Sequence, residues 1–147
     1  MSDKNINFDF NEITSDKCFC AAFQLMKILR LHLDTLENFS NQIKRQWEKD
    51  YTLLGLWIEN DLVGLAGYRL TENLLYGRFL YVDDLVVKPD LQSKGYGAQL
   101  LEHVRNIAIS KECDHFVLDT GLHMPLAQRF YFRNGLLAKG MHFVSRL

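Results

Sequence analysis

The 147-residue chain carries 17 basic and 18 acidic residues, a formal net charge of -1, and is 48% hydrophobic, enough apolar material for one compact domain over residues 1–147. That balance argues against a nucleic-acid partner or an anionic membrane surface, and no apolar run approaches the roughly 20 residues that a bilayer span needs. Without a basic-then-apolar leader, and with an odd count of 3 cysteines, the expected setting is the cytoplasm, free of disulfides.

In chain order, Ile6, Phe8 and Phe10 alternate with Asn5, Asn7 and Asp9, the period of a strand with one buried face. Thr14 or Ser15 is placed to cap a helix with apolar positions at Cys18, Ala22, Leu25 and Leu29, expected to end near His32 to Asp34. Cys18 and Cys20 point to different faces of that helix and make a poor metal pair, so no metal is expected. A second amphipathic helix carries Leu36, Phe39, Ile43 and Trp47. Tyr51 to Glu59 and Leu62 to Leu70 read as a hairpin turning at Asn60-Asp61, with Gly64 and Gly67 marking a bulge or a close backbone approach. Tyr76 to Val87 is a third antiparallel strand, and Gly97 to Ile109 a helix whose buried face holds Leu100, Leu101, Val104, Ile107 and Ala108. His115 to Thr120 is a short strand returning parallel to the previous one. A further helix enters at Met124-Pro125-Leu126 and leaves at Asn134-Gly135, and Met141 to Leu147 is expected to form the last strand.

Leu80 to Leu101 holds the chemistry. A β-branched run meets the Lys88-Pro89 turn, then the loop Gln92-Ser93-Lys94-Gly95-Tyr96-Gly97-Ala98, then a helix. Helix-start amides lack partners inside the helix and sit at its positive end, so a glycine-rich loop feeding them can bind an anion. Neither glycine is followed by lysine, which excludes a P-loop. Leu100 stands where a dinucleotide fingerprint needs a small residue. What remains is Gln-x-x-Gly-x-Gly at a strand-to-helix junction.

Together with the Asp83-Asp84-Leu85-Val86-Val87-Lys88-Pro89 run before it and Ala127, Phe130, Tyr131 and Gly135 after it, this loop resembles that of the GNAT acetyltransferases, the Gcn5-related N-acetyltransferase superfamily. The resemblance covers roughly Leu62 to Leu147. It implies an α/β fold: a central mixed, mostly antiparallel sheet with a splayed parallel pair, flanked by about four helices. It implies acetyl-CoA as co-substrate, with pyrophosphate on the amides of Ser93, Lys94, Gly95, Tyr96, Gly97 and Ala98. Gln92 or Lys94 would add side-chain contacts, and the pantetheine arm would pair with backbone of Leu85, Val86 and Val87. An N–H of that segment would also stabilise the tetrahedral oxyanion.

An alkyl ammonium must lose a proton before it attacks. The resemblance offers Asp83 as the base or the anchor of a water relay. On an ideal strand Asp84 faces the other way, and a bulge would exchange the two roles. Tyr131 sits at the family's acid position, where it would protonate the departing thiolate. Met124 stands where the family often has an Asn that contacts pantetheine, leaving Thr120, His123 or backbone to substitute. His142 is either a second titratable group in the cleft or structural. The expected acceptor is a primary amine on a small cationic molecule, suggested by Asp83, Asp84 and Glu72. The alternatives are a peptide or protein amine, or a non-catalytic acyl-CoA sensor. A homodimer is a candidate assembly, as in many members of the family.

Overall fold

A computed structural model describes residues 6–147; Asn5, the first polar member of the opening alternation, lies outside them. The elements are β1 (Phe8–Glu12), α1 (Asp16–Leu29), α2 (Leu36–Trp47), β2 (Tyr51–Ile58), β3 (Asp61–Asn73), β4 (Gly77–Val87), a 3-10 segment (Pro89–Lys94), α3 (Tyr96–Ser110), β5 (His115–Leu118) and α4 (Pro125–Arg133). The strands form one sheet in the order β1-β2-β3-β4-β5. The first four pair antiparallel in sequence order, and the sheet also contains a parallel pair, as a helix between β4 and β5 requires. The chain divides into two compact units, one running to Val117 and one spanning Leu118–Leu147.

Helices cover both faces of the sheet. Tyr51, Leu53, Leu65 and Val86 pack with Phe19, Ala22 and Phe23 of α1 and Phe39 and Ile43 of α2. The alternate residues face α3: a Cβ placed on Gly64 would come 3.3 Å from Leu100, so the missing side chain lets α3 lie close to β3. Leu100, Leu101, Val104 and Ala108 are buried on that helix, as their spacing predicts.

Four sequence expectations are corrected. α1 stops at Leu29 because Arg30 leaves the helical region at φ -113 and ψ 83, its guanidinium turning toward β4. The hairpin turns at Glu59-Asn60, both left-handed at φ 47 and 72, with Ile58 opposite Asp61, the geometry that matches the twist of the strands. β3 extends to Asn73, past the expected end at Leu70. Met141 to Leu147 forms no strand. Phe143 and Val144, neighbours that a strand would send to opposite faces, are 88% and 89% exposed, so no buried face rewards a strand there.

Candidate active site

The acidic pair is organised by a bulge in β4. Gly67 pairs with Asp84 and the next residue, Tyr68, pairs with Val82, so Asp83 is the extra residue of the ladder. Both aspartates consequently reach the face covered by α1 and α2, whereas an ideal strand would have separated them. Asp84 Oδ1 accepts from Arg30 Nε at 3.0 Å and Oδ2 from the Tyr51 hydroxyl at 2.8 Å. Asp83 takes a two-pronged bond from Arg69, 2.9 Å from Nε and 2.8 Å from Nη2. Arg30 Nη2 also donates to the Asp83 carbonyl at 2.7 Å, and the Arg69 guanidinium lies 5.2 Å from the centre of the Tyr81 ring.

Gly67 makes room for this network. A Cβ there would overlap the Tyr51 hydroxyl and come 2.6 Å from Asp84 Oδ2. Gly67→Ala is therefore expected to cost about 1–3 kcal/mol through overpacking and to lower Tm by several degrees; an unchanged Tm would contradict the packing. Burial, and then the Asp84 charge, hold the Tyr51 hydroxyl well above its ordinary pKa of 10.0. As pH rises past that ordinary value the unfolded chain releases the proton while the folded chain keeps it. The stability tied to Tyr51 is thus fully present below about pH 10 and is lost above it. In denaturant titrations from about pH 9 to about pH 11, Tyr51→Phe is expected to lose less stability than the parent. An equal loss would contradict a buried, protonated Tyr51.

Downstream of the aspartates, β4 continues through Leu85, Val86 and Val87. Asp114 N–H donates to the Arg78 carbonyl at 2.6 Å where β5 begins, and β5 is only 4 residues long. Parallel pairing from that point runs out near Val82, so the edge of Leu85, Val86 and Val87 turned away from β3 extends beyond it. The chain then makes its 3-10 segment and swings through Gly95, left-handed at φ 82 and ψ 5, into α3. No side chain caps α3, and its first internal bond is Gln99 N–H to the Gly95 carbonyl. The amides of Tyr96, Gly97 and Ala98 therefore precede the helical ladder. A Cβ built on Gly95 meets nothing within 4 Å. Gln92 Nε2 donates back to the Val87 carbonyl at 3.3 Å, so that side chain braces the loop. Ser93 and Lys94 close the 3-10 segment as exposed residues. An uncapped helix start at the end of a strand fits a ligand that carries a diphosphate.

In the smaller unit, Tyr131 lies in α4 with its ring edge-on to Phe130 at 5.3 Å. Met124 is the N-cap of that helix and provides no side-chain cap. Gln128 Nε2 instead bonds the carbonyls of Gly121 and Leu122 at 3.0 and 3.1 Å, which orders the approach to the helix. His142 Nε2 lies 2.7 Å from Asp119 Oδ2, a contact that gives this His a structural partner.

The family model described as "Acetyltransferase (GNAT) family" matches residues 22–136. The chain belongs to the GNAT acetyltransferase family. It is 28% identical over 121 residues to an uncharacterized N-acetyltransferase, YhdJ, of Bacillus subtilis, covering 82% of this chain and 84% of that protein. A thialysine N-epsilon-acetyltransferase of Sus scrofa is 32% identical over 57 residues, 39% of this chain and 34% of that one. Among solved structures, the aminoglycoside N-acetyltransferase AAC(6')-Iy in complex with CoA superposes with a TM-score of 0.86 at 12% identity, over 100% of this chain and 99% of that one. The protein is thus an N-acetyltransferase of the GNAT fold.

The GNAT sequence pattern does not single out Arg30, Tyr51 or Arg69, whereas Gly67 is marked by its place in the strand as a bulge or close approach, and it is both. Arg69 left a signal, a lone charge inside the apolar run Leu62 to Leu70. Arg30 left none, since it reads as the next polar residue of a helix that in fact ends before it.

Proposed function

We propose that the chain is one acetyltransferase domain that moves an acetyl group from acetyl-CoA directly to the primary amine of a small molecule. The observation that carries this reading is the junction of β4 and α3, where the strand leads through the left-handed, unobstructed Gly95 to uncapped helix amides. Bound acetyl-CoA supplies an acetyl group activated as a thioester. The amides of Tyr96, Gly97 and Ala98 hold its pyrophosphate, and the backbone of Leu85, Val86 and Val87 pairs with its pantetheine arm and faces the developing oxyanion with an N–H. Asp83, the more exposed aspartate at 24% against 14%, anchors the water that takes the proton from the amine. Asp84 positions Tyr51 and Arg30. Tyr131 gives its phenolic proton to the departing thiolate. The small-molecule acceptor is supported by relatives that act on thialysine and on aminoglycosides.

The test is thiol release by the purified protein from acetyl-CoA with a panel of small primary amines. Release with the acetylated amine as co-product is the expected result. Acetyl-CoA binding with no release for any amine would overturn the reading in favour of a sensor.

A further inference from the structure

The expectation of a cationic acceptor rested on Asp83, Asp84 and Glu72, and the two aspartates are occupied. Asp83 and Asp84 are each matched by an arginine, so the cluster beside the expected acetyl position is formally neutral. The open capacity lies with the arginines. A guanidinium has five N–H donors and no acceptor. Asp83 takes two from Arg69. Arg30 spends its Nε and Nη2 on Asp84 and the Asp83 carbonyl. Among the described residues no protein group takes Nη1 of either, and their side chains are 42% and 43% exposed. Both forks are held in place by these bonds, and Arg69 also by the Tyr81 ring, so an incoming anion meets donors that need little further ordering. An incoming cation would first have to displace an arginine.

We propose that Arg30 and Arg69 read an anionic group, a carboxylate or a phosphate, carried by the acceptor molecule itself. This rests on the acetyltransferase reading and narrows its substrate class to amines that also bear an anion.

The experiment compares matched acceptors with saturating acetyl-CoA: lysine against cadaverine, which lacks only the carboxylate, and glucosamine 6-phosphate against glucosamine. The anionic member of at least one pair is expected to have a kcat/KM higher by about tenfold or more, and the pair that shows it names carboxylate or phosphate. Arg69→Gln, which also frees Asp83, is expected to lower kcat/KM for that anionic amine and raise it for its uncharged or cationic counterpart, a reversal that general damage cannot produce. Arg69→Lys, which keeps the charge and loses the fork, should fall between. Equal or inverse preference in both pairs would overturn the proposal while leaving acetyl transfer standing. Calorimetric binding of the same pairs to the CoA-loaded protein reads the preference without turnover. A protein that binds the anionic member more tightly but releases no thiol would therefore count against the activity alone.

Discussion

Gly97→Asp is expected to abolish acetyl-CoA binding while leaving the fold intact. Gly97 is the second residue of α3, in the uncapped first turn whose amides precede the helical ladder. A carboxylate there is favourable for the helix itself, by about 0.3–1 kcal/mol, because it faces the positive end of the helix dipole. For a pyrophosphate the same carboxylate is a rival anion on the same amides, adding bulk and like charge where the ligand's negative charge must come closest. Stability and affinity should therefore move in opposite directions, with Tm equal or higher and acetyl-CoA affinity down by about 100-fold or more. Titration calorimetry together with thermal unfolding reads both. Unchanged affinity would remove the pyrophosphate from this helix start.

The second large effect is expected from Tyr131→Phe. The substitution keeps the ring that packs edge-on to Phe130 and removes the hydroxyl. A thiolate departing without a proton donor leaves less readily, and loss of a positioned general acid lowers kcat by about 10² to 10⁴. The KM for acetyl-CoA should change far less, because the hydroxyl is proposed to act on the leaving sulfur in the transition state. Steady-state kinetics with an amine that turns over would show that split. A kcat within about twofold of the parent would take the acid role away from Tyr131.

The elements were legible wherever one face of an element is buried, because burial imposes a period. Leu100, Leu101, Val104 and Ala108 marked α3, and the alternation of Phe8 and Phe10 marked β1. The loop was legible because Gly95 takes a left-handed backbone conformation that few residue types adopt. Met141 to Leu147 misled because its composition is that of a strand, although it has no buried face and no strand pairs with it among the described residues. The acidic pair was half legible. Asp83 and Asp84 stood out as charges in an apolar strand, but which way they point depends on a bulge, a property of two strands together. Their arginines come from positions 53 and 14 residues away along the chain, a juxtaposition that no local pattern carries. The consequence is electrostatic: the two aspartates that suggested a cation site are each paired with an arginine, Asp84 with Arg30 and Asp83 with Arg69.

One strand, one loop and one helix start are proposed to hold acetyl-CoA together. Amide hydrogen exchange with and without acetyl-CoA tests this most directly, since it reports on the backbone groups themselves. Slowed exchange in the segments that contain Leu85, Val86 and Val87 and Tyr96, Gly97 and Ala98 is the predicted result. Binding that leaves both segments exchanging as in the free protein would contradict it.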